Sequence, residues 1–174
     1  MKVDMEFEVA IVPVSDVDRA KAFYTELGWR ADDDIVNGAD FRAVQLTPPG
    51  SAASVTFGKG VTDARPGSFR GGLIVSDIVA AHNQIVASGI EATEVFHGSP
   101  FSPEARISGP DPERKSYSSY VAFQDPDGNA WVVQEVTMRR RDASCRGKRR
   151  QETTFVSPPL TGGEAVVERT DGTV

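Results

Sequence analysis

The sequence predicts an α+β fold made of two βαβββ repeats, and three observations carry that prediction. First, Val14-Ser15-Asp16-Val17, a helical pattern and Gly28 recur as Val75-Ser76-Asp77-Ile78, a second helical pattern and Gly89, always 61 residues on. Both the start and the stop of one structural unit are therefore duplicated without a register slip, the mark of an internal repeat. Second, a turn signal follows each unit, Thr47-Pro48-Pro49-Gly50 and then Asp125-Pro126-Asp127-Gly128, 78 residues apart. Third, the residues between these landmarks read as short apolar or alternating strands of matching number in both copies.

The elements follow in order. Phe7 to Val14, and Gly71 to Val75 in the second copy, are apolar stretches that read as strands. Ser15 and Ser76 each offer a hydroxyl to the free amides of a helix's first turn, and the adjacent Asp favours the positive helix end. Val17, Ala20, Tyr24 and Leu27 form the apolar stripe of the first helix, and Ile78, Ala81 and Ile85 that of the second. Gly28 and Gly89 supply the left-handed residue that closes each helix. Three strands then follow per copy: Trp29 to Ile35, Phe41 to Leu46 and Ala53 to Phe57, matched by Ile90 to Phe96, Ser118 to Phe123 and Ala130 to Thr137. The second copy carries about 17 extra residues within Phe96 to Tyr117, whose Pro, Ser, Gly and charge fit a long loop without regular structure.

Composition fits a soluble globular protein, 39% hydrophobic and 25% charged. Residues 1–138 suffice for one domain, with repeat one at 5–60 and repeat two at 68–137. Up to Met138 the chain has 11 Lys or Arg against 20 Asp or Glu; Arg139 to Val174 has 8 against 5. This basic, then polar, tail at 139–174 is expected to be disordered. Its Arg and Lys cluster lacks the aromatic or folded context of nucleic-acid recognition, and the acidic domain opposes such a partner. No apolar run has membrane-spanning length and the N-terminus lacks a signal-peptide core, so the expected location is the cytoplasm, with no membrane partner. Cys145 is the single cysteine, which excludes an internal disulfide.

Val12-Pro13-Val14-Ser15-Asp16-Val17-Asp18-Arg19-Ala20-Lys21-Ala22-Phe23-Tyr24 in the first copy and Phe123-Gln124-Asp125-Pro126-Asp127-Gly128-Asn129 in the second resemble the vicinal oxygen chelate superfamily. Glyoxalase I, bleomycin-resistance proteins and extradiol dioxygenases belong to it. The resemblance covers roughly residues 5–137. It implies that each repeat curls its sheet into half of an open, barrel-like cavity, and that enzymes of the family hold one divalent metal there. The ligand positions so implied fall here on Val9, Arg70, Val132 and, by the 78-residue offset, Ser54. Aliphatic, hydroxyl and guanidinium groups are not normal donors to such metals. No cofactor is therefore expected, with a divalent metal held by displaced ligands as the alternative.

Candidates for such a displaced site are Glu135 and His97. Strand alternation puts Val132 and Gln134 on one face and Trp131, Val133 and Glu135 on the other, so Glu135 reaches the cavity only across a bulge. His97, beside the long loop, reads either as a ligand or general base at the cavity mouth or as a surface histidine. His82 falls off the helix stripe and reads as solvated. Arg70 reads either as a cavity guanidinium that binds a carboxylate, phosphate or enolate, or as a strand-edge arginine facing water. Tyr120, Trp131, Phe123 and Phe41 supply aromatic surface, most of it read as core, since strands favour such residues for packing. The Asp125–Asn129 turn reads as structural, since Pro, Gly and Asn serve a tight reversal. Two functions follow: a protein of the bleomycin-resistance kind that binds an aromatic or acidic small molecule without metal, or a lyase, isomerase or dioxygenase-like enzyme. The latter would use displaced metal ligands, or no metal with Arg70 as electrophile and His97 in proton transfer. A homodimer is the default assembly.

Overall fold

The computed structural model describes residues 3–138; the tail at 139–174, expected to be disordered, lies outside the described residues. Repeat one runs β1 (Val9–Ile11), α1 (Val17–Glu26), β2 (Arg30–Asn37), β3 (Phe41–Thr47) and β4 (Ser54–Lys59). Repeat two runs β5 (Arg70–Val75), α2 (Ile78–Ala87), β6 (Phe96–Gly98), β7 (Arg106–Ser108), β8 (Ser119–Gln124) and β9 (Ala130–Glu135). The strands form two open mixed sheets, β1-β4-β3-β2 and β5-β9-β8-β6-β7. In each, the first strand of the repeat pairs parallel to the last, and the remaining pairs are antiparallel.

Helix closure follows expectation: Gly28 and Gly89 sit at φ 89° and 76°, a conformation that a side chain penalises. Helix initiation does not. Asp16 accepts from the Arg19 amide and Asp77 from those of Val79 and Ala80, so aspartate, not the preceding serine, caps each helix. Ser15 instead donates to Asp127 of the other repeat, a long-range partner that a local pattern cannot reveal.

The second copy also departs from expectation around its insertion. The strand expected over Ile90 to Phe96 reduces to a single bridge between Ala92 and Phe123 before β6 begins at Phe96. The expected structureless loop holds β6, a 3₁₀ turn at Pro103–Ala105 and β7, the last two strands paired from Phe96–Ser108 to Gly98–Arg106. Pairs this short leave no period in sequence. Register also corrects the 78-residue offset within the last strands. Val9 pairs with Ser54 and Arg70 with Ala130, so with Arg70 as the counterpart of Val9, Ser54 corresponds to Ala130, 76 residues on, and Val132 corresponds to Thr56.

One core joins both repeats. Tyr24 stacks on Trp29 at 4.7 Å between ring centroids, and Trp29 meets Trp131 edge-on at 5.3 Å. Val44, Leu46, Val55 and Phe57 face this core from the first sheet, and Val121, Phe123, Trp131 and Val133 from the second. Burying each large side chain contributes roughly 1.5–3 kcal/mol. At Gly71 a Cβ would lie 2.6 Å from Trp131 Cζ3 and 2.5 Å from Phe69 Cε1, so this glycine gives the indole room.

The Asp125–Asn129 turn clasps the repeats together. The Tyr24 hydroxyl donates to Asp125 Oδ2 at 2.8 Å and accepts from Trp131 Nε1 at 3.1 Å. Burial first, and the Asp125 charge second, push the Tyr24 phenol above its ordinary range, keeping it a donor. Asn129 Nδ2 donates to the Pro13 carbonyl and to Asp125, while its Oδ1 accepts from the Phe69 amide. Asp127 accepts from Ser15 and Arg19.

Candidate functional site

Strand alternation places one face of the second sheet on the core and leaves the other to line a groove of about 1370 Å³. Pairing sets that face in three rows across the strands. Phe96, Tyr120, Gln134 and Ile74 make the first. Ala122, Val132 and Gly72 make the second, and Gln124, Ala130 and Arg70 the third. The middle row is low because its side chains are small or missing. At two residues per row, the outer rows stand roughly 13 Å apart.

Arg70, Tyr120, Val132 and Gln134 thus line one groove. Arg70 Nη1 donates to the Gly67 and Phe69 carbonyls at 2.9 and 2.7 Å, and the guanidinium has no ion pair among the described residues. Gln134 Nε2 is fixed by the Tyr117 carbonyl and the Tyr120 hydroxyl, at 3.0 and 3.1 Å. Glu26 and Glu91 also reach the lining.

The structure does not bring the other candidates there. Val9 and Ser54 pair on the first sheet, with Ser54 hydrogen-bonded to Thr47 at 2.7 Å. His97 follows Phe96 on β6 and alternation turns it to the opposite face, where Nδ1 meets the Gly109 carbonyl at 2.9 Å. Glu135 is fully buried on the core face of β9, which pairs without a bulge on both sides. Its carboxylate accepts from the Ile78 amide and from Arg114, and the guanidinium holds it below the usual carboxylate range. Phe41 stays on the first sheet, whereas Phe123 and Trp131, buried in the core, also border the groove. His82 lies on α2 beside Asn83.

A divalent metal does not fit these residues. The groove face of β5 and β9 offers Arg70, Gly72, Ala130, Val132 and Gln134, with neither imidazole nor carboxylate. No group of three or more His, Cys, Asp or Glu is arranged to hold a metal among the described residues.

Arg106 and Phe96 were not singled out in the sequence. The inserted hairpin sets the Arg106 guanidinium over the Phe96 ring at 4.4 Å, and Phe96 stacks on Tyr120 at 5.6 Å. Arg106 Nη2 donates to the Pro100 carbonyl at 3.2 Å, whereas Nε is buried without a hydrogen-bond partner among the described residues. Such an unmet donor costs about 1–3 kcal/mol. An arginine in a segment rich in Pro and Ser, without regular period, carries no sequence signal for this placement.

A duplicated βαβββ unit with a ligand-sized groove on one sheet defines a paired-module protein of the vicinal oxygen chelate type. The Glyoxalase/Bleomycin resistance protein/Dioxygenase superfamily pattern matches residues 7–133, and the chain belongs to that superfamily. It is similar to TnmS3, an antibiotic-binding protein from Streptomyces sp. CB03234, at 25% identity and TM-score 0.59, over 78% of this chain and 99% of that one. It is also similar to a glyoxalase/bleomycin resistance protein from the same organism, at 26% identity and TM-score 0.56, over 75% and 100% of the two chains. A superfamily member from Sphaerobacter thermophilus DSM 20745 is 25% identical with TM-score 0.56, over 76% and 98%. No curated protein matches. Among the described residues no helix is long and apolar enough to cross a membrane.

Proposed function

We propose that this protein binds a small organic molecule, aromatic or acidic, in the groove of its second sheet, without a metal, and works as a homodimer in the cytoplasm. The observation that carries this is the groove itself: a low floor of Gly72, Val132 and Ala122 between taller rows, with a cation at Arg70 that has no acidic partner among the described residues. Small-molecule sites are concave and mostly apolar with a few placed polar groups, and this one has that make-up. The likeness to an antibiotic-binding protein supports binding rather than turnover. The donor set argues against the metal chemistry on which many enzymes of the superfamily rely.

The test fills the floor. A Cβ at Gly72 meets nothing nearer than the Val132 carbonyl oxygen at 3.9 Å, so Gly72→Leu is expected to fold normally and to block the groove. An NMR screen of aromatic acids and amides should shift amides of β5, β8 and β9 in the wild type and leave Gly72→Leu unmoved. Binding that survives the leucine unchanged would place the ligand elsewhere. Elemental mass spectrometry after loading with zinc, nickel, manganese or iron(II) should find far less than one metal per chain; stoichiometric metal would refute the metal-free reading.

A further inference from the structure

We propose that Arg106, carried in by the hairpin of the second repeat, recognises an acidic group on a planar aromatic ligand; this rests on the groove being the binding site. Four observations combine. Arg106 lines the groove, and none of the ion pairs among the described residues involves it. Its Nε is buried without a hydrogen-bond partner among the described residues. The guanidinium lies over the Phe96 ring at 4.4 Å, and that ring stacks on Tyr120. The Tyr120 hydroxyl is already used on the Tyr117 carbonyl, and Tyr120 and Phe101 give this end of the groove an aromatic lining beside Arg106.

The charge pattern selects the ligand. An arginine at an aromatic wall, half-buried and without a carboxylate partner among the described residues, gains most from an anion with planar geometry, because the guanidinium fork matches a carboxylate with two parallel hydrogen bonds. The ring bearing that carboxylate would lie on the low middle row. Arg70 stands on the edge strand opposite β7, the full width of the five-stranded sheet away. At roughly 4.8 Å per strand spacing, one carboxylate cannot reach both arginines. Glu91, which lines the groove toward the Arg70 row, makes that end less favourable for an acid.

The experiment compares 2-naphthoate with its neutral amide, 2-naphthamide, by titration calorimetry on the full chain. Wild type should bind the acid about tenfold or more tighter than the amide. Arg106→Met should bind both alike, with amide affinity close to wild type, which also shows that the variant is folded; Arg106→Lys should keep only part of the preference. Equal binding of acid and amide by wild type, or a preference that survives Arg106→Met, overturns the assignment while leaving groove binding in place. If neither probe binds wild type, or Gly72→Leu binds both as wild type does, the groove reading falls and Arg106 recognition falls with it.

Discussion

Glu135 is fully buried and still charged, because its oxygens are taken by the Arg114 guanidinium and the Ile78 amide at the start of α2. Arg114 pays for this with a positive φ of 49°, which is unusual for a residue with a side chain. Asp77 also faces Arg114 at 3.5 Å, and its charge opposes that of Glu135 without cancelling the pull of the arginine. The folded carboxyl therefore sits below its ordinary value of 4.5. A lowered folded value means stabilisation that is complete above the unfolded value and is lost as pH falls through the folded one. Glu135→Gln should cost about 2 kcal/mol near neutrality, the loss of hydrogen bonds to a charged group. In thermal melts the gap between wild type and Glu135→Gln should close as pH falls below the ordinary glutamate value. A gap that stays constant down to pH 2 would show that the charge of Glu135 contributes nothing.

At the scale of elements, the caps separate what sequence carries from what it hides. Asp16→Ala should destabilise by about 1 kcal/mol, the usual worth of a cap, and Ser76→Ala should fall within about 0.5 kcal/mol of wild type. Chemical denaturation decides this, and a larger loss at Ser76 would return the cap to serine. The helix boundaries were legible because a Ser-Asp start and a glycine stop are local signals, copied intact at a fixed spacing. Alternation along β9 was legible for the same reason, and it put Val132 and Gln134 on one face and Glu135 on the other. The β6–β7 hairpin was not, since its strands are three residues each and rest on long-range contacts, among them the pairing of β6 with β8 and the stacking of Phe96 on Tyr120. Arg106 was hidden with it. The two-residue error at Ser54 arose because loops between matched strands change length freely, so turns make poor rulers for strand register.

At the scale of the whole molecule, the two sheets share a core on one side and differ on the other. The second sheet has its groove. The first leaves Val9 39% exposed, Ile11 48% and Phe41 38% on the face turned from the core, with Ile35 beside them on β2. Scattered apolar exposure is ordinary, but four such side chains on one sheet face suggest a surface that another chain covers. A second copy is the occupant that fits, because a two-fold arrangement can lay the first sheet of one chain over the groove of the other and the reverse, in one self-complementary contact. Pairing through the β2 edge is a poor alternative, because that strand carries the charged side chains Arg30, Asp32, Asp33 and Asp34, and charge along an edge disfavours strand addition. Light scattering coupled to size exclusion should give twice the chain mass. Ile11→Glu should halve it and weaken groove binding in the same step, since each groove would lose its cover, while the side chain's outward position spares the core. A variant that turns monomeric yet binds as before would confine the site to one chain, and a wild type that is already monomeric would leave the face of β1 without this role.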